Sequence, residues 1–152
     1  MSVGVVPRTY ENETLEALLP HRYPFLLVDR IEVIETGRHV VGTKRLTGGE
    51  WWSRAGVPNG IPFLLVLEGL AQTSGALVSD LANGNAGITA YFMGADKVRF
   101  RHPALVGDVL RFDVTLQQWR RGICRALAVA TIESDAAVVA TAELTTVVRR
   151  SS

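Results

Sequence analysis

The sequence predicts an α+β fold in which an antiparallel sheet of about six strands wraps around one central helix. Three observations predict it. Residues 63–82 combine strong helix formers with apolar and small side chains on nearly every face, and a helix apolar all round should be buried all round. Runs rich in β-branched and aromatic residues flank this helix, two before it and four after it. The links between successive runs are mostly short and turn-forming, which joins neighbours in antiparallel succession.

Taken in order, residues 14–19 form a short helix with Thr14 as its cap and Pro20 ending the run, and residues 21–24 make an irregular connection. Strands follow at 25–34 and 39–47, separated by Glu35-Thr36-Gly37-Arg38, which supplies the Gly expected of a hairpin loop. Residues 47–62 hold four glycines and two prolines, too many breakers for a regular element, and loops of this length are often functional. Pro62 is a good first helical residue, and Asn83-Gly84-Asn85 is a stop for the helix over 63–82. Strands then run at 87–100, 109–119, 123–133 and 137–148, with Arg120-Arg121-Gly122 and Ser134-Asp135 as tight connections. Residues 149–152 read as a solvated end. With no internal repeat or linker, 1–152 is expected to be one domain.

Composition narrows the function. The 152 residues are 47% hydrophobic, enough to bury a substantial core. Sixteen Lys and Arg balance 15 Asp and Glu, which argues against a nucleic-acid or membrane-surface protein that binds through bulk charge. The one cysteine, Cys124, cannot form an internal disulfide and suits a reducing compartment. No signal-like start or membrane-length apolar run is present, so a soluble cytoplasmic protein is expected.

Glu68 is the most informative residue. It lies early in the apolar helix among Leu64, Leu65, Val66, Leu67 and Leu70, where an ionised carboxylate is expensive unless paired. A carboxyl kept protonated near neutral pH can act as a general acid towards a leaving hydroxyl; a partly solvated carboxylate can activate water as a general base. Gln72, one turn later on the same face, can orient it. The bland alternative is a side chain that escapes to solvent or pairs with an Arg for structural reasons, and residue pattern leaves both open. The helix start near Pro62 also presents unpaired N–H groups able to polarise a carbonyl, as every helix start does.

Three motifs carry a family resemblance. Residues 18–30, LLPHRYPFLLVDR, form a long and specific opening signature; residues 67–72, LEGLAQ, contain Glu68 and Gln72; residues 91–103, YFMGADKVRFRHP, are followed by Gly107-Asp108 and the Arg120-Arg121-Gly122 turn. Together they resemble the 3-hydroxyacyl-acyl-carrier-protein dehydratases over most of the chain. The resemblance implies a hot-dog fold, homodimers whose sheets join with tunnels at the subunit boundary, and hexamers built from three dimers. It implies as substrate a 3-hydroxyacyl chain on acyl carrier protein, or its CoA counterpart, converted to the 2-enoyl thioester with no metal or redox cofactor. Glu68 matches the family's catalytic Glu, which protonates the departing hydroxyl, and Gln72 the Gln that follows it. Pro62 and Phe63 take the place of the Pro-Gly that starts the family's helix, and with Tyr91 and Phe92 they are candidate substrate-binding residues.

One family feature is absent. The His that removes the proton next to the thioester carbonyl falls on Arg54, or on Ser53 if one residue is inserted, and neither is an imidazole. Arg54 stays protonated and is a poor base, though it can pair with Glu68. Of the three histidines, His21 suits packing and hydrogen bonding at the strand entrance, His39 begins a strand, and His102 sits beside Pro103 in a basic stretch. Lys97, Arg99 and Arg101 alternate at strand spacing, either a face for the acidic carrier or an ordinary solvated one, and Arg120 and Arg121 invite the same two readings. Trp51 and Trp52 either cap an acyl pocket or anchor the loop. Three functions stay open: a dehydratase, a non-catalytic relative that binds the carrier or acyl chain or partners an intact dehydratase, and a thioesterase directed by the helix Glu.

Overall fold

The computed structural model describes residues 8–54, 60–84 and 86–151. Its elements in chain order are β1 (Arg8–Glu11), α1 (Glu13–Leu18), β2 (Arg30–Glu35), β3 (His39–Arg45), a 3-10 turn (Trp51–Arg54), α2 (Phe63–Leu81), β4 (Ile88–Phe100), β5 (Val109–Arg120), β6 (Ile123–Ile132) and β7 (Val138–Arg150). The strands form one sheet in the order β1-β2-β3-β5-β6-β7-β4, with every neighbouring pair antiparallel. Helix α2 packs across β3, β5, β6 and β7. The predicted architecture is present, with seven strands among the described residues rather than six.

The differences have local causes. Strand β1 is only four residues, and its RTYE sequence carries no apolar alternation to announce it; its place at the sheet edge comes from pairing with β2. Strand β2 starts at Arg30 instead of residue 25. The apolar run before it spends its backbone elsewhere: Phe25 and Leu26 donate to the Arg22 carbonyl, and Leu27 donates to the Gln72 side chain. Thr14 sits inside the first turn of α1, where its hydroxyl bonds the Glu11 backbone, and Asn12 takes the cap position. Pro62 is likewise the cap of α2 and Phe63 its first residue. At the far end Gly84, at φ 104°, donates to the Ser79 carbonyl at 2.8 Å and closes the helix. Asn85 and residues 55–59 of the predicted loop lie outside the described residues.

Two glycines let α2 approach the sheet. A Cβ on Gly69 would lie 2.5 Å from Phe112 Cζ, and one on Gly42 would lie 2.3 Å from Thr73 Oγ1. Val66, Leu70, Ala76 and Leu77 then bury against Leu110, Phe112, Val114 and the alanines of β6. The sequence predicts a helix buried all round, and the burial of α2 falls short of that. One sheet covers one side, leaving Leu64 71% exposed and Leu65, Leu67 and Glu68 half-buried. Among the described residues no helix is long and apolar enough to cross a membrane.

Cys124 lies in the β6 core, and burial pushes its thiol up to about 11. At pH 8 about one thiol in a thousand is then ionised. The native protein should resist iodoacetamide under conditions that alkylate the urea-unfolded chain; fast native labelling would show that β6 opens.

Candidate active site

Glu68, Ala71, Gln72, Gly75 and Val78 fall on one face of α2, spaced three and four residues apart over roughly 15 Å. That face forms one wall of a cavity of about 490 Å³. The end of α1 and the Pro20-His21-Arg22 turn close one side, and Ile88, Ala90 and Phe92 of β4 close the other. Glu68 and His21 both line the cavity.

Gln72 is 2% exposed and fully committed. Its Oε1 accepts the Leu27 N–H at 2.8 Å, which fixes the amide orientation; Nε2 then donates to the Phe25 carbonyl at 2.7 Å and to Glu68 Oε1 at 3.0 Å. Both amide hydrogens are used. The apolar run 25–28 thus serves the site through its backbone, clamping a glutamine that aims a carboxylate. His21 Nε2 approaches the same Oε1 at 3.4 Å, with the two side chains 33% and 36% exposed. The other histidines lie elsewhere: His39 Nε2 is 2.8 Å from Asp113 Oδ1 on the sheet, and His102 Nδ1 lies against the Pro103 carbonyl.

The remaining candidates divide. Phe92 lines the cavity, whereas its neighbour Tyr91 lies with Met93, Val147 and Arg149 in a separate shallow pocket, as strand alternation requires. Phe63 stacks on Phe100 with ring centroids 4.9 Å apart, so at the helix start it wedges against the end of β4 and, like Pro62, does not line the cavity. The Ser53 hydroxyl bonds the carbonyls of Gly48 and Glu50 and secures the 3-10 turn. The Arg54 backbone ends the 3-10 turn, and its side chain, on which pairing with Glu68 depends, lies outside what the structure describes. Trp52 is buried in the core and Trp51 Nε1 donates to the Pro24 carbonyl at 3.0 Å, so both tryptophans anchor the loop. Lys97 Nζ reaches Glu143 at 3.3 Å, and a bulge between Asp96 and Arg99 breaks the strict alternation expected of Lys97, Arg99 and Arg101.

Sequence reasoning places His21 at the strand entrance but does not bring it to Glu68. Some 47 residues separate the two, and only the fold of α1 against α2 closes that distance.

The family model described as a FabA-like domain matches residues 19–143. A relative named 3-hydroxyacyl-[acyl-carrier-protein] dehydratase FabZ from Roseiflexus sp. (strain RS-1) is 44% identical over 125 residues, covering 81% of this chain and 87% of that protein. The FabZ of Exiguobacterium sibiricum is 39% identical, covering 90% and 96%. Among solved structures, the dehydratase heterocomplex ApeI:P from Xenorhabdus doucetiae aligns with a TM-score of 0.71 at 19% identity, covering 88% of this chain and 89% of that one. A hot-dog-like protein from Thermanaerovibrio acidaminovorans aligns at 0.60 with 19% identity over 76% and 83%. These two establish the hot-dog fold, and the sequence relatives establish the lineage: the chain belongs to the FabA-like family, among the 3-hydroxyacyl-[acyl-carrier-protein] dehydratases.

Proposed function

We propose that the chain removes water from 3-hydroxyacyl thioesters carried on acyl carrier protein, giving 2-enoyl thioesters for fatty-acid or related lipid synthesis. The observation that carries this reading is Glu68, a carboxylate held by Gln72 on the wall of a cavity whose exposed lining is largely apolar. Elimination of water needs a group that moves one proton beside an apolar chain, and this arrangement supplies it. The dehydratase named among the solved neighbours and the FabZ relatives support the substrate class.

A second copy of the chain is proposed to complete the site, with three such dimers forming a hexamer. Strand β4 ends the sheet, runs for 13 residues and exposes Tyr91, Phe92, Met93 and Phe100. A long apolar edge of that kind invites another strand, and joining two copies there would cover it. Exposed Leu64 is the matching apolar surface on α2. Arg99 and Arg101, with Lys97 beside them, are proposed to meet the acidic carrier.

Hydration of a crotonyl thioester, followed by loss of the enoyl absorbance, tests the activity directly. Turnover of the purified protein is expected. Binding of the thioester or carrier without turnover would favour the non-catalytic reading, and release of free thiol would favour a thioesterase.

A further inference from the structure

Resting on the dehydratase reading, we infer that His21 is a positioning residue that donates its Nε2–H to Glu68, so that one carboxylate oxygen serves as base and then as acid.

The argument begins with the imidazole. Nδ1 of His21 is buried and has no hydrogen-bond partner among the described residues, while Nε2 faces Glu68 Oε1 at 3.4 Å. A proton on Nδ1 would be a buried donor without an acceptor, and would leave an unprotonated Nε2 at 3.4 Å from a carboxylate oxygen. A proton on Nε2 removes both penalties. The neutral ring with hydrogen on Nε2 is therefore the form that fits, and in that form Nε2 has no lone pair with which to take a proton from substrate.

The neighbouring cation does not compete for this role. Arg22 is spent on backbone, with Nη1 donating to the Leu19 and His21 carbonyls and Nη2 to that of Glu16. Glu16 is the other charged group on the cavity wall, and the lining residues from β4 and β7, namely Ile88, Thr89, Ala90, Phe92 and Thr146, carry no charge.

Two N–H groups, from Gln72 and His21, thus converge on Oε1 and leave Oε2 for the substrate. Oε2 takes the proton from the carbon next to the thioester carbonyl, and the freed C–H electron pair forms the new carbon–carbon double bond. The C–O bond at the next carbon breaks as the same proton passes from Oε2 to the departing hydroxyl, which leaves as water. The carboxylate is regenerated, and no second proton carrier is needed. This accounts for a member of the lineage with no histidine between His39 and His102.

Kinetics of His21→Ala, His21→Gln and Glu68→Gln on a crotonyl thioester decide the matter, together with 15N NMR of the His21 ring in the wild type. The expected result is a loss in kcat of about 10- to 100-fold in His21→Ala with KM within a few-fold, since a hydrogen bond to a charged group is removed. His21→Gln, whose amide N–H can stand in for Nε2–H, should recover most of that loss, and NMR should find the proton on Nε2. A proton on Nδ1, or His21→Gln as inactive as a folded His21→Ala, would overturn the donor role. Wild-type rates in His21→Ala alongside an inactive Glu68→Gln would overturn this inference and spare the dehydratase reading. A wild type without turnover would overturn both.

Discussion

Glu68→Gln is expected to lower kcat for thioester hydration by about 100- to 10,000-fold, the usual worth of a positioned general acid–base group. The substitution suits the site. Gln keeps the volume and packing of Glu, and its carbonyl can still accept the Gln72 N–H that now reaches Oε1 at 3.0 Å. It cannot carry a proton between two substrate atoms. Because the side chain is 36% exposed in the single chain, stability should change by less than about 1 kcal/mol, a shift of roughly 2–4 °C in melting temperature. Thioester binding should persist, since the cavity walls from Pro20 to Phe92 are untouched. Rates within a few-fold of wild type would mean that another group moves the proton.

The sequence made the helix, its carboxylate and the order of the later strands legible because each rests on local pattern. Residues 63–82 announce a buried helix by their apolar faces, and Glu68 stands out as the acid among leucines. Gln72 follows from helical spacing alone. Three features depend on contacts between segments distant in sequence. The run 25–28 reads as a strand because it is apolar and includes the strand formers Phe25 and Val28, yet its backbone serves Gln72. His21 meets Glu68 only because α1 folds back on α2. The bulge at Lys97, a non-glycine residue at φ 50°, disrupts an alternation that the sequence shows as intact. Composition carries no trace of a backbone carbonyl acting as a clamp.

The closeness of α2 to the sheet gives the largest expected change in stability. Phe112 is 1% exposed on β5, and its ring lies directly beneath Gly69. Phe112→Ala should cost about 3–5 kcal/mol, from lost transfer energy and the cavity left behind. The partner substitution distinguishes packing from helix propensity. In the wild-type background Gly69→Ala gains about 1 kcal/mol of helix propensity but places a methyl 2.5 Å from Phe112 Cζ and 2.8 Å from Cε2. A buried ring in a close-packed core cannot retreat by more than an ångström without disturbing its neighbours, and overpacking of this kind costs about 1–3 kcal/mol, so the net effect is destabilising. With Phe112→Ala already present, the clash is gone and the new methyl fills part of the void. Gly69→Ala should then stabilise by about 0.5–1 kcal/mol, reversing its sign. Urea denaturation of the four proteins in this cycle measures the reversal. Equal destabilisation in both backgrounds would show that Gly69 is required for backbone freedom, and that the Phe112 ring does not set the helix–sheet distance.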